Sequence, residues 1–177
     1  MLRRNLIIAL GLVLPAQAWA QPQGKTTDAE PSRAAAPAAG PAELRHANDT
    51  LAAGMSSLAM SEVAVRRASG DIRQFAEFEV AEQRDVAAVL KLRGHQAQQS
   101  IDDPTRAMVD RLTTTNAGEQ LDAAYLTAQA EGHQRLLDIQ QAYLREGQDP
   151  HSRAVAMLIK GRVQEHIQLI GRLQKKD

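Results

Sequence analysis

The sequence predicts an all-α protein, a four-helix bundle with a long connection between its second and third long helices. Three observations carry this. Apolar residues recur at the helical spacing in four long stretches, each with a polar outer face. No stretch alternates apolar and polar residues over a useful length, so no strand is expected. Start and stop residues fall where four such segments need them: Pro41, Ser69-Gly70, Gly94 and Pro150.

The first helix is expected over residues 41–68. Gly40-Pro41-Ala42-Glu43 opens it with proline at the first helical position, where a missing N–H costs nothing. Its apolar arc holds Leu44, Leu51, Met55, Leu58, Ala59 and Val65, with Glu62 near the centre. Ser69-Gly70 ends it, and Asp71 can cap the second helix, expected over 72–93. There Ile72, Phe75, Ala76, Val86 and Leu90 face inward. Glu79 and Gln83 fall inside that face and Glu82 at its edge. The connection over 94–115 contains a short helical piece that opens at Asp103-Pro104 and runs through Leu112. Routed as a crossover along the bundle, it would make the helices on either side of it parallel; the sequence does not fix that routing.

The third long helix is expected over 116–147, with Asn116 and Glu119 in a capping-box arrangement. Leu121, Tyr125, Ala128, Leu136 and Tyr143 form one apolar edge, and Leu126, Leu137 and Leu144 a second. Between the edges runs a polar row of Asp122, Gln129, His133 and Gln140. The fourth helix opens at Pro150 and buries Val155, Leu158, Ile159, Val163, Leu169, Ile170 and Leu173. Arg162 and His166 lie in the middle of that arc. His46, His95 and His151 lie at edges or loops and are read as solvent-exposed.

Residues 1–20 read as a signal peptide. Arg3 and Arg4 form a basic start, residues 6–14 an apolar run too short for a membrane span, and Ala18-Trp19-Ala20 a cleavage site. Export to the periplasm with cleavage after Ala20, and no stable membrane anchor, is the expectation. Either the general or the twin-arginine route would serve. Residues 21–40, rich in Ala and Pro, read as a disordered linker, and 41–175 as the helical bundle. The chain has no cysteine, which excludes disulfides, thiolate metal sites and covalently attached haem. Of its 21 Lys+Arg, Arg3 and Arg4 leave with the signal, so 19 remain against 21 Asp+Glu. A net charge of −2 is no footprint for nucleic acid.

Each long helix thus places polar groups where apolar ones belong: Glu62, then Glu79 and Gln83, then Asp122 and His133, then Arg162 and His166. One such group buried unpaired costs several kcal/mol. A fold worth only ~5–15 kcal/mol does not carry four independent accidents of that size. The groups must meet one another or bind something. At ~1.5 Å per residue, counting from the turn at Gln148 puts His133 and His166 at one height. The same count about Gly70 puts Glu62 level with Glu79.

These residues carry a resemblance. From Leu44 to Leu173 the chain resembles the bacterial family called domain of unknown function 4142. The matching residues are Ser61-Glu62-Val63, Phe75-Ala76, Asp122 with Tyr125, His133 eight residues after Tyr125, and His166-Ile167. The resemblance implies an exported protein with a ferritin-like fold. Two departures stand out. Where the family's second helix usually reads Met, two residues, then Asp-His, this chain has Glu79, Glu82 and Gln83. Where the family has a proline in the fourth helix, it has Gly161. Gln83 lacks the imidazole, so a histidine cluster is one member short, with Glu79 an inward carboxylate one turn away.

Dinuclear iron or manganese sites in such bundles need Glu-x-x-His on two helices. Three residues before His133 is Ala130 and three before His166 is Val163, so that motif is absent. Two readings of the seam stay open. One is a satisfied buried network in which Arg162 neutralises a carboxylate. The other is one divalent transition-metal ion held by Glu62, Glu79, His133 and His166. Haem held by the two histidines is a third. No serine elbow, phosphate loop or His-Glu-x-x-His supports hydrolysis. The expected function is that of an exported, non-enzymatic bundle of unsettled role, linked to envelope stress or partner binding. The alternative is a metal-binding or metal-sensing bundle.

Overall fold

The computed structural model describes residues 39–96 and 100–176. The expected signal peptide, and the linker up to residue 38, lie outside the described residues. Five helices follow in order: α1 (Pro41–Arg67), α2 (Gly70–Leu92), α3 (Asp103–Thr114), α4 (Glu119–Glu146) and α5 (Pro150–Leu173). No strand occurs among the described residues. The four long helices are those expected, and each boundary falls within a few residues of its sequence signal.

Two helical hairpins form the bundle, α1–α2 and α4–α5, and α1 packs against α4. Contacts fix the directions. His46 meets Gln140 while Ser61 meets Tyr125, so α1 and α4 are antiparallel. Hairpin α1–α2 is antiparallel too, which leaves α2 and α4 parallel. The connection is therefore a crossover, which settles the routing that the sequence left open. α3 carries the chain back beside α1, held by Ser56 Oγ and Thr105 Oγ1 at 2.8 Å. At its far end, Arg67 donates to the carbonyls of Leu112, Thr113 and Thr115. The guanidinium thus satisfies carbonyls that a helix end leaves without partners.

Local signals explain most boundaries. Asp102 and Asp149 cap α3 and α5 by accepting from the backbone N–H of Thr105 (2.9 Å) and Ser152 (2.7 Å). Two expected caps are not used. Ser69 precedes α2 and Gly118 precedes α4, neither with a side-chain cap bond, so Asp71 and Asn116 do not serve. Gly118 takes φ of 101°, a left-handed turn into the helix that makes a capping box from Asn116 impossible.

The main core lies toward the α1–α2 turn, where Val63, Phe75, Leu112, Leu121, Tyr125, Leu126 and Ile170 are buried. The second and fourth long helices differ in how well their faces were read. Ile72, Phe75, Ala76, Glu79, Gln83 and Leu90 are buried as expected. Leu158 is not: it is 76% exposed, as is half of Phe78 on the facing helix. The reason is geometric. α1/α2, α4/α5 and α1/α4 pack closely, whereas the backbones of α2 and α5 make little close contact. An open apolar groove of about 380 Å³ runs between them.

The first helix corrects the sequence reading most. Its buried face is His46, Ala47, Thr50, Leu51, Ala53, Gly54, Ser57, Met60, Ser61, Val63 and Ala64. The expected arc of Leu44, Met55, Leu58, Ala59 and Val65 is at best half-buried. The true face lies about one residue step, ~100°, around the helix. Small and hydroxylated residues let α1 approach its neighbours closely, and the larger apolar residues flank that contact.

Candidate metal centre

Glu79 on α2, His133 on α4 and His166 on α5 meet in the bundle interior, none more than 3% exposed. Glu79 Oε1 lies 2.5 Å from His166 Nδ1 and 3.1 Å from His133 Nε2. The two ring nitrogens are 3.2 Å apart. The other side of each group is also occupied. His133 Nδ1 donates to the Gln129 carbonyl at 2.8 Å, one turn back on its own helix. That bond fixes the tautomer and aims Nε2 at the cluster. His166 Nε2 faces Glu82 Oε2 at 3.6 Å, and Phe75 packs edge-on against the same ring. Glu79 Oε2 accepts from Gln83 Nε2 at 3.3 Å and lies 2.7 Å from Ser57 Oγ.

A polar ladder extends from this point. Ser57 also reaches Gln129 Oε1 at 2.9 Å. Gln129 Nε2 donates to Ser61 Oγ at 3.1 Å, and Ser61 pairs with the Tyr125 hydroxyl at 2.8 Å. Nearer the α4–α5 turn, His46 stacks on Tyr143 and pairs with Gln140 Oε1 at 2.6 Å. Gln140 in turn donates to Thr50.

The electrostatics follow from this geometry. Burial pushes the Glu79 carboxyl up, but hydrogen bonds from His133 and His166, and their charge, more than offset it. The carboxyl ends well below the usual carboxylate range. Burial likewise disfavours a charged His133, and the Glu79 hydrogen bond and charge outweigh it. The net shift is above its ordinary 6.5. His46 has no such partner, so burial prevails and lowers its value, with the Gln140 bond opposing.

Three of the four expected ligands thus converge, and Glu62 does not. Its carboxylate is 42% exposed and pairs with Arg84 at 2.8 Å on the outer surface. Two errors put it inward: the α1 face was rotated by one residue, and the hairpin count was short by about a turn. Glu79 meets Ser57 instead. Arg162 is exposed as well, bound to Glu82 at 2.7 Å and Glu165 at 3.1 Å rather than to Glu79. Asp122 is half-buried. His46 and His95, read as exposed, are buried, whereas His151 is exposed. Ser57, Ser61 and Thr50 went unread as parts of the seam. Their signal was present: Thr50, Gly54, Ser57 and Ser61 recur at steps of four and three, a small polar stripe at core spacing.

The donor set is two imidazole nitrogens and one carboxylate oxygen. Ligand atoms around a tetrahedral zinc ion stand ~3.3 Å apart, given bonds of ~2.0–2.1 Å. The spacings of 3.1 and 3.2 Å match that, while the 2.5 Å spacing is that of a hydrogen-bonded pair. The residues fit a small divalent ion of the kind imidazole and carboxylate share.

Fold and cluster together define an all-α bundle with a carboxylate–bis-histidine centre in its core. By its sequence the chain belongs to the family described as Domain of unknown function (DUF4142), whose match spans residues 28–173. Two solved structures share the fold. One is a DUF305 fragment from Deinococcus radiodurans, with TM-score 0.67, 19% identity, and 77% of this chain and 98% of that one covered. The other is a DUF305 protein from Streptomyces coelicolor described as secreted, with TM-score 0.65, 16% identity, and coverage of 76% and 93%. No curated protein matches the chain. Among the described residues no helix is long and apolar enough to cross a membrane.

Proposed function

We propose that this chain is an exported, non-enzymatic bundle that binds one divalent transition-metal ion through Glu79, His133 and His166. One observation carries the reading. Three ligand atoms from three helices lie within 4.8 Å of one another in a buried site. Each histidine has its other nitrogen turned to an acceptor, the Gln129 carbonyl or the Glu82 carboxylate. Such outer partners orient metal-bound imidazoles and make them better donors.

Two ring nitrogens and a carboxylate oxygen that face one another need a proton or a metal cation between them. Without metal, a proton shared with Glu79 fills that need, and the cluster is an imidazolium–carboxylate pair. A metal ion therefore displaces a proton, and binding weakens as pH falls. Zinc, copper(II) and iron(II) suit this donor set better than magnesium or calcium. The non-enzymatic part rests on enclosure: Glu79, His133 and His166 are at most 3% exposed. Export rests on the N-terminal sequence and on the related Streptomyces protein's description as secreted.

Thermal melts with zinc, manganese, iron(II) and copper(II), beside a chelator control, test the proposal. A ligand that binds only the folded state at 100 times its Kd stabilises it by ~2.7 kcal/mol. The melting temperature rises with at least one metal, and His133→Leu with His166→Leu removes the rise. No shift with any metal refutes metal binding. A shift that survives loss of both histidines refutes the ligand set.

A further inference from the structure

The three ligand side chains are sealed, so an ion must reach them by a definite path. Among their polar contacts, Glu82 reaches solvent most: its carboxylate faces His166 at 3.6 Å and is 19% exposed, whereas Gln83 is 7% exposed. Glu82 lies on α2 and is tied to Arg162 on α5 at 2.7 Å. These are two helices whose backbones make little close contact. The same two residues line the open groove between α2 and α5, with Val86 and Ile159.

We infer that the Glu82–Arg162 ion pair is a latch across the α2/α5 seam, closing the route by which small species reach His166 and, on the metal-binding reading above, the route of the ion itself. The geometry gives the latch two properties. It is half-exposed, with Arg162 at 47%, so water competes for both charges and the pair opens readily. It also crosses a seam that side chains, more than close backbone packing, hold together. The pair Glu62–Arg84 makes a useful contrast. It bridges α1 and α2, which pack closely, and Arg84 lines a smaller cleft that ends on Gln83.

Arg162→Gln cuts the latch, and Arg84→Gln is its control. The first readout needs no metal. Diethyl pyrocarbonate modifies accessible imidazoles, and peptide mass spectrometry resolves each histidine. Arg162→Gln should speed labelling of His166 roughly two- to fivefold, the share an exposed ion pair contributes. His46, equally buried in the same bundle, should label at the wild-type rate, and Arg84→Gln should leave both unchanged. The second readout is stopped-flow zinc binding. A latch closes the empty and loaded states alike, so Arg162→Gln should raise association and dissociation together.

Labelling of His166 that does not change, or that rises together with His46, overturns the latch. So does acceleration by Arg84→Gln in place of Arg162→Gln, which would move the route to the α1/α2 cleft. If wild type binds no zinc while Arg162→Gln speeds His166 labelling, the latch stands and zinc is not the ion. If zinc binds and both its rates ignore Arg162→Gln, the metal reading stands and the latch falls.

Discussion

Glu79 and His166 stand 2.5 Å apart across α2 and α5, neighbouring helices whose backbones make little close contact. Side chains, not backbone proximity, close that side of the bundle, and the polar cluster bears part of the load.

Replacing both histidines by leucine leaves Glu79 with only Ser57 and Gln83 as partners. A buried carboxylate so stranded costs ~3–5 kcal/mol. Urea denaturation of metal-free His133→Leu/His166→Leu should show a loss of that order. Adding Glu79→Leu should recover most of it, because an apolar trio of similar volume no longer buries a charge. A triple variant as unstable as the double would mean that packing, not charge, sets the cost.

Histidine NMR on the metal-free protein should place two buried imidazoles on opposite sides of 6.5. His133 titrates above it, because Glu79 outweighs burial, and His46 below it, because burial prevails. The stability consequences are opposite in sign. The contribution of His133 is complete below 6.5 and is lost as pH rises through its raised value. That of His46 is present above 6.5 and is lost as pH falls through its lowered value. Glu79 adds stability above 4.5 that disappears only in strong acid. Glu79→Gln should bring the His133 midpoint down and leave His46 where it is.

Glycines within the α4–α5 hairpin should respond in opposite ways to alanine. A Cβ at Gly147 would stand 2.1 Å from the Tyr143 ring, which is stacked on His46 and cannot yield. Gly147→Ala should cost ~1–3 kcal/mol, the usual penalty of overpacking. Nothing lies within 4 Å of a Cβ at Gly132 or Gly161, both inside helices. Alanine there should stabilise by ~0.5–1 kcal/mol through helix propensity. Chemical denaturation of the three single variants decides the ordering.

The exported protein should begin at Gln21. Intact mass of material recovered from the periplasm measures this, and a retained Met1 would refute cleavage after Ala20.

Much of this architecture was legible in the residues. The helix count, the long connection and the polar row of α4 follow from period and punctuation, and Leu121, Tyr125, Gln129, His133 and Gln140 are all buried as their spacing requires. Counting from the α4–α5 turn brought His133 level with His166, and their rings are 5.3 Å apart. The failures have different causes in α1 and α5. Apolar periodicity finds a helix face only when that face is the apolar one. In α1 the inward face is Thr50, Gly54, Ser57 and Ser61, so the search settled on the flank and carried Glu62 with it. In α5 the opposite occurred: Leu158 has the right character for a core and sits on a seam that does not close.

The crossover has a consequence for the order of assembly. Hairpins α1–α2 and α4–α5 each consist of chain neighbours joined by short turns, and such local pairs form first because little loop entropy opposes them. Glu79 belongs to one hairpin, His133 and His166 to the other. Their meeting waits until α3 has carried the second hairpin back along the first. Interactions absent from the transition state act on unfolding and not on folding. Losing Glu79 should therefore shorten the lifetime of the folded chain while leaving its refolding rate nearly unchanged, and an ion seated there would lengthen that lifetime without hastening its start.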